Sequence, residues 1–226
     1  MAEKPGKQVP SKAEMEKNIC HLSESGHIKA ALEACREYIR WNKENANVYR
    51  TYGLMLYKSG DIDGAITNLQ KSIRLKSDYP DTHYILGINY YQQASFSKAV
   101  ESFKRCLALD SNFSMAYYWL GLSYFQKGDR QNSINAYVDL LKKNHDFIVA
   151  HYEVGVAYSS NNEYEKAIPH FKKIIESKSD CQAVFYHLGY AYYKTGKIPE
   201  AIKTFRQAIQ VNPDDKRSRE MLDSFI

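Results

Sequence analysis

The sequence of 226 residues lacks the residue patterns that define several common functional classes. Its four cysteines are dispersed without a CxxC pair, and its seven histidines show neither HxxxH nor HExxH spacing, so no set of zinc ligands is recognisable. A P-loop, a dinucleotide-binding fingerprint and a nucleophile elbow are also missing. These absences argue against an enzyme, and they predict that the chain uses no cofactor and no metal ion.

Long hydrophobic runs are missing as well. No apolar stretch approaches the length of a transmembrane helix, and the opening residues MAEKPGKQVPSKAEMEKN lack the apolar core of a secretory signal. Isolated cysteines suit a reducing compartment, so the sequence predicts free thiols at Cys20, Cys35, Cys106 and Cys181. We therefore expect a cytoplasmic protein without a transmembrane segment, and peripheral association with a membrane or organelle surface stays open.

The chain also lacks a concentrated block of one charge. Lys and Arg number 31 against 26 Asp and Glu, a net charge of +5, and the excess is spread along the sequence. Proteins that bind nucleic acid usually gather their positive charge on one stripe. The distribution therefore argues against nucleic acid as a partner. Tyrosine, in contrast, is abundant, with 19 residues.

What the sequence does contain is an internal period of 34 residues. A glycine recurs at this interval, and placing it at position 8 of a 34-residue unit aligns the other columns, starting from Gly53, Gly87, Gly121, Gly155 and Gly189. Position 11 then holds Leu or Tyr, position 20 Ala or Ser, and position 24 Leu or an aromatic residue. Each unit has the apolar spacing of two helices joined by a polar turn such as KSGD. We expect the small residues to let two helices approach closely, and Gly60, Gly128 and Gly196 at position 15 to end the first helix.

These columns resemble the tetratricopeptide repeat (TPR), a 34-residue helix–turn–helix unit with the pattern W-L-G-Y followed by A, F, A and P. The resemblance covers five copies, at 46–79, 80–113, 114–147, 148–181 and 182–215. It implies an all-α fold, a right-handed superhelical solenoid of helix pairs. Position 4 departs from the pattern because it holds Tyr, His or Phe instead of Trp, and the proline at position 32 survives only as Pro213.

The segments around the five copies complete the expected organisation. Residues 12–45 resemble a degenerate N-terminal copy in which Ile19 replaces the glycine, and Ser11 with Glu14 predicts a capping box at its start. Residues 1–11 predict a disordered polar tail. Residues 216–226 predict an amphipathic capping helix that covers the last repeat with Met221, Leu222, Phe225 and Ile226.

The resemblance also implies where a partner binds. In TPR proteins, positions 2, 5, 9, 12 and 13 of the first helices face a concave groove, and positions 5, 9 and 12 of this chain are largely aromatic or aliphatic. An alternative stays open, in which these side chains simply pack against neighbouring repeats. We expect a partner-binding groove lined by Arg50, Leu54, Tyr57, Tyr84, Ile88, Tyr91, Tyr118, Leu122, Phe125, Tyr152, Val156, Tyr186, Tyr190 and Tyr193.

The groove residues predict the kind of partner. Chaperone-docking TPR domains grip a C-terminal carboxylate with Lys and Asn side chains, whereas positions 5 and 9 here supply only Arg50. What remains suits an apolar or aromatic-anchored peptide or helix, so the sequence predicts a non-catalytic protein–protein interaction scaffold or adaptor. Two alternatives stay open. One is a scaffold that self-assembles as a homo-oligomer on a membrane or organelle surface, of the magnetosome- or pilus-assembly type; the other is a chaperone for an apolar secretion substrate.

Overall fold

The computed structural model describes residues 10–177 and 183–225, and within them it contains thirteen α-helices and no β-strand. The chain divides into two compact units, unit 1 (residues 1–111) and unit 2 (residues 112–226). The helices of unit 1 are α1 (Lys12–Glu24), α2 (Ile28–Trp41), α3 (Ala46–Ser59), α4 (Ile62–Leu75), α5 (Pro80–Gln92) and α6 (Phe96–Leu109). Those of unit 2 are α7 (Ser114–Gln126), α8 (Arg130–Lys143), α9 (Ile148–Ser160), α10 (Tyr164–Glu176), α11 (Ala183–Lys194), α12 (Ile198–Val211) and α13 (Lys216–Asp223).

The helices pack in chain order within each unit. Repeats 1 to 5 are the pairs α3–α4, α5–α6, α7–α8, α9–α10 and α11–α12, and we call the two members of a pair the first and the second helix. Each first helix packs against its own second helix, and inside each unit a second helix packs against the first helix of the next repeat. The all-α fold class predicted from the 34-residue period is confirmed for the part of the chain that the structure describes.

The glycine at position 8 makes room for the side chain at position 24. A Cβ atom placed on Gly121 would lie 2.5 Å from Cε1 of Tyr137, and one placed on Gly155 would lie 2.5 Å from Cε1 of Phe171. In repeats 2 to 5 the atoms nearest to such a Cβ are those of the aromatic ring at position 24, so a side chain at position 8 would collide with that ring. In repeat 1, a Cβ on Gly53 would lie 2.7 Å from Cγ of Leu69 and 3.2 Å from a carbonyl oxygen of α4.

Position 15 ends each first helix in the left-handed conformation. Gly60, Gly128 and Gly196 have φ angles of 88°, 77° and 74°, which confirms their predicted role. Ala94 and Asn162 occupy the same position in repeats 2 and 4, with φ angles of 56° and 61°. An L-residue pays a steric cost in this conformation that glycine avoids, so the turn of repeat 2 is strained at Ala94.

Both ends of the described chain are closed locally. At the N-terminal end, the predicted capping box is present: the Ser11 hydroxyl accepts from the Glu14 backbone N–H at 3.3 Å, and the Glu14 carboxylate accepts from the Ser11 N–H at 2.7 Å. At the other end, the Phe225 ring lies 6.5 Å from the Phe205 ring, centroid to centroid, so the C-terminal segment covers the last repeat. Residues 1–9 of the predicted tail, Cys181 and Ile226 lie outside the described residues.

Candidate functional site

The predicted tyrosines at position 5 are half-buried, and each contacts an aromatic ring of its own repeat. Each ring lies beside the position-24 ring, which is therefore held between the position-8 glycine and the tyrosine. The centroid distances are 6.1 Å for Tyr84–Phe103, 6.2 Å for Tyr118–Tyr137, 6.5 Å for Tyr152–Phe171 and 6.1 Å for Tyr186–Phe205. These tyrosines thus serve the core with part of their surface and leave the rest accessible to solvent.

The predicted groove residues of unit 1 are mostly engaged within the unit. Nη1 of Arg50 lies 3.7 Å from Oδ2 of Asp81, and its guanidinium lies 5.1 Å from the centroid of the Tyr79 ring. Ile88 does not fit the prediction of a surface residue, because it is only 7% exposed and belongs to the core between α5 and its neighbours. The remaining predicted residues of unit 1 are half-buried, namely Leu54, Tyr57, Tyr84 and Tyr91.

Unit 2 exposes large apolar side chains at positions that the TPR resemblance assigns to the groove. At position 12, Phe125 is 36% and Tyr193 is 40% exposed; at position 2, Met115 is 39% and Val149 is 51% exposed. Among the described residues of unit 2, one other large hydrophobic side chain, Val211, is exposed. Positions 2, 5, 9 and 12 are separated by three or four residues, so they share one face of a helix.

This surface, which we call the unit 2 apolar face, combines predicted and unpredicted residues. It comprises Met115, Tyr118, Leu122, Phe125, Val149, Tyr152, Val156 and Tyr193. Met115 and Val149 were not among the predicted groove residues. The signal that could have found them was present, because the resemblance places position 2 in the groove and both residues occupy that column.

In repeat 5 the tyrosines of α11 form a continuous ladder of rings. Tyr186 and Tyr190 are stacked with centroids 6.1 Å apart, and Tyr190 lies 6.2 Å from Tyr193. The C-terminal segment contacts both ends of the ladder, since the Arg217 guanidinium lies 4.4 Å from the Tyr186 centroid and the Phe225 ring lies 5.7 Å from that of Tyr193. Burial raises the pKa of the Tyr186 hydroxyl. The ladder is thus partly occupied by the chain's own cap.

Polar groups near the apolar face are held in fixed positions. The Tyr152 hydroxyl lies 3.2 Å from Nε2 of His187, a hydrogen bond that joins repeats 4 and 5. The His187 ring stacks on Phe171 at 5.7 Å, and burial lowers the pKa of His187, so the ring is neutral near pH 7. Burial also raises the pKa of the neighbouring Glu153 carboxyl. This region therefore presents aromatic rings that are held in fixed positions.

The described residues contain no arrangement typical of a metal or nucleophile site. No three or more of their His, Cys, Asp and Glu side chains lie together in a way that could hold a metal ion. Cys20, Cys35 and Cys106 are free thiols, and burial raises the pKa of Cys35 and Cys106 to about 12, which makes them poor nucleophiles. In the same part of the chain, no helix is both long enough and apolar enough to cross a membrane.

Sequence comparison matches family models along most of the chain. A model described as a TPR repeat matches residues 53–93 and 87–128. Three models described as a tetratricopeptide repeat match residues 115–144, 148–181 and 183–215. A search of curated proteins found no match to the sequence.

Solved structures share the fold over most of their length. YrrB, described as a TPR protein with an unusual peptide-binding site, is 20% identical with a TM-score of 0.77, and the match covers 84% of this chain and 98% of that one. MamA is 30% identical with a TM-score of 0.71, covering 76% of this chain and 93% of that one. PilF of Pseudomonas aeruginosa is 12% identical with a TM-score of 0.71, covering 94% and 97%.

Proposed function

Because the chain belongs to the tetratricopeptide-repeat family, we propose that it is a non-catalytic interaction scaffold that holds a partner segment against the unit 2 apolar face. One observation carries the proposal. The large hydrophobic side chains that unit 2 exposes are concentrated at positions 2 and 12 of the first helices, at Met115, Phe125, Val149 and Tyr193. Exposed apolar side chains gathered on one surface mark interaction sites more often than isolated ones do.

The side chains of this surface favour an apolar or aromatic-anchored segment. The exposed side chains belong to α7, α9 and α11, and the half-buried rings of Tyr118 and Tyr152 lie on the same helix faces. Rings fixed by packing lose little conformational entropy on binding, so they are suitable anchors. YrrB, which shares the fold, is described as having a peptide-binding site, and a peptide is the partner class that we propose here.

The proposal is tested by a triple variant, Met115→Gln, Phe125→Gln and Val149→Gln. All three side chains are exposed, so glutamine keeps helix propensity and solubility while it removes apolar contact area. The full chain serves as bait in affinity capture from its native extract, and the captured protein is then purified and titrated by calorimetry. We expect the variant to bind it at least about tenfold more weakly, since loss of hot-spot contacts costs about 2 kcal/mol or more.

The matched control is Val211→Gln, which removes an exposed apolar side chain of the same unit outside this face. It should retain full affinity, and circular dichroism should show equal helicity for all variants. A captured partner that binds the triple variant as tightly as the wild type would refute the proposal. Replacing Tyr118 or Tyr152 would be a weaker test, because their rings also support the core.

Self-assembly is a second candidate, and one observation in unit 1 favours it. Trp41, at the end of α2, is 77% exposed. If a second copy of the chain covered this ring, the burial of its apolar surface would stabilise the dimer. Sedimentation velocity over a wide concentration range tests this idea. Self-assembly requires a mass that rises with concentration for the wild type and stays constant for Trp41→Ser; a constant mass for both excludes it.

A further inference from the structure

A cleft of about 510 Å³ lies in unit 1, between α4, α5 and α6. Its floor is apolar and is formed by Ile73, Leu86 and Tyr90. The rim carries three exposed cations, which are Arg74 on α4 and Lys98 and Arg105 on α6. None of these side chains belongs to the unit 2 apolar face, so the cleft is a separate feature.

The cations of this rim outnumber the acidic side chains of the cleft. Glu101 is the one acidic side chain of the cleft, and within the described residues none of the three cations makes an ion pair. His83, at the floor, adds no charge near neutral pH, because burial lowers its pKa. The cleft therefore carries an excess of positive charge above an apolar floor.

The equivalent positions of repeats 3 and 4 are also basic, but there each cation is paired. In unit 1, Arg74 stands at position 29 of repeat 1, and Lys98 and Arg105 stand at positions 19 and 26 of repeat 2. The same positions of repeats 3 and 4 hold Lys142, Lys166 and Lys173. Each of the three lysines has its own acidic partner: Lys142–Asp139 at 2.8 Å, Lys173–Asp146 at 3.4 Å, and Lys166–Glu163. The cations at these positions of repeats 3 and 4 are therefore paired, whereas those of the unit 1 cleft make no ion pair within the described residues.

In repeats 4 and 5 the same positions line a smaller cleft of about 240 Å³ with a different charge. Position 29 is Glu176, position 19 is Glu200 and position 26 is Gln207. Lys172 and Lys203 balance the two glutamates in this cleft. Each unit therefore contains a cleft of this type, and of the two it is the one in unit 1 that carries an excess of positive charge.

We propose that the unit 1 cleft binds an acidic segment of a partner protein, with carboxylates on the cationic rim and an apolar side chain on the floor. Charge complementarity favours this occupant, because bound carboxylates would pair the three cations that the chain leaves unpaired. Single-stranded nucleic acid fits less well. It needs aromatic faces on which bases stack, and the Tyr90 ring is buried with the Lys98 ammonium 5.5 Å from its centroid.

The experiment uses the full chain and a fluorescein-labelled acidic peptide, EELEEL, with binding followed by fluorescence anisotropy at low salt. The test variant Arg74→Glu, Lys98→Glu and Arg105→Gln installs the residues that the repeat 4–5 cleft has at the same positions. The side chains are exposed, so we expect the wild-type melting temperature. Binding should weaken at least about tenfold, and its salt dependence should decrease.

The control variant is Lys142→Glu, Lys166→Glu and Lys173→Gln, which makes the same change in net charge at the equivalent positions of repeats 3 and 4. It should bind EELEEL within about twofold of the wild type, because those lysines are already paired. If both variants lost the same affinity for EELEEL, the net charge of the protein would explain the binding, and the proposal would be overturned.

Two further probes complete the test. The peptide EEGEEG lacks the apolar side chains and should bind more weakly than EELEEL; equal binding would overturn the role of the floor. Oligothymidine should bind no better to the wild type than to the test variant. Tighter binding of oligothymidine than of EELEEL, lost in the test variant, would make nucleic acid the ligand and overturn the proposal.

Discussion

Ala94 occupies a backbone conformation that repeats 1, 3 and 5 assign to glycine. Its φ angle is 56°, and a Cβ atom at the equivalent glycines meets no atom within 4 Å, so the cost at Ala94 is one of backbone conformation and not of crowding. We expect Ala94→Gly to raise the free energy of unfolding by about 1 kcal/mol, because glycine removes the steric cost of this conformation. Urea denaturation measures the change.

The control for this substitution is Ala108→Gly. Ala108 is an exposed residue of α6 with helical geometry, where glycine should lower the free energy of unfolding by up to about 1 kcal/mol. Opposite signs for the two variants support the strain at Ala94. A loss of stability in both variants would show that the left-handed turn costs alanine nothing here.

Gly121 is essential for another reason, the ring of Tyr137. The ring atoms Cε1, Cδ1 and Cζ would lie 2.5 to 2.7 Å from a Cβ at this position, and Tyr137 is almost fully buried. Gly121→Ala should therefore lower the free energy of unfolding by about 1–3 kcal/mol. Leucine faces the glycine of repeat 1, so Tyr137→Leu should make room for the added methyl group. The double variant should therefore lose less free energy of unfolding than the sum of the two single variants. Simple additivity in urea titrations would contradict the contact.

At the scale of elements, α9 and α10 are joined by a pair of histidines. Nε2 of His151 lies 2.9 Å from the carbonyl oxygen of His145 and must donate, so in the neutral ring Nδ1 accepts from Nδ1–H of His170, 3.0 Å away. Burial first, and then the charge of His151, lower the pKa of His170 from 6.5 to about 4. The folded state therefore favours the neutral form of His170.

This pair predicts that unit 2 loses stability in acid. A histidine whose pKa falls on folding leaves stability intact above its unfolded value of 6.5 and removes it progressively as the pH falls towards 4. We expect the melting temperature to drop by about 3 °C or more between about pH 7.5 and pH 5. Repeat 5 has threonine at this position, and in the variant His170→Thr the melting temperature should fall less over the same pH range. An unchanged pH profile would show that the pair does not resist protonation.

The elements themselves were predictable, whereas this pair was not. Apolar spacing and the glycine columns determine where helices begin and end, because they reflect local packing that every repeat shares. His151 and His170 stand at positions 4 and 23, nineteen residues apart, and no column of the repeat pairs two histidines elsewhere. Burial at the predicted groove positions varies in the same way: columns 5, 9 and 12 are shared by the repeats, yet the burial of Ile88 depends on its particular neighbours.

At the scale of the whole molecule, the chain is a series of repeats whose contacts join helices close in chain order within each unit. In such arrays, stability is a sum of repeat terms and nearest-neighbour terms. Gly121→Ala should therefore raise amide hydrogen exchange mainly in α7 to α10, while α1 to α4 keep wild-type protection. Hydrogen exchange with mass spectrometry resolves the segments. A uniform rise across all helices would instead indicate a single cooperative unit.

The clefts between second helices show what the sequence alone could not give. The cations at positions 19, 26 and 29 are visible in the sequence, but whether each one is paired depends on which acidic side chains the fold brings near it. Asp146 and Glu163 supply such partners in unit 2, from positions before α9 and α10. Only coordinates distinguish a neutralised rim from an open one.

The arrangement of core and rim has a consequence for how such a chain can diversify. The ring, the glycine and the tyrosine that stabilise repeats 2 to 5 occupy positions 24, 8 and 5. The rims of the two clefts, one in unit 1 and one in repeats 4 and 5, use the exposed positions 19, 22, 26 and 29. Mutation can therefore alter the charge of one rim without disturbing the fold. After a repeat is duplicated, each copy is able to acquire its own ligand preference while the shared architecture is inherited intact.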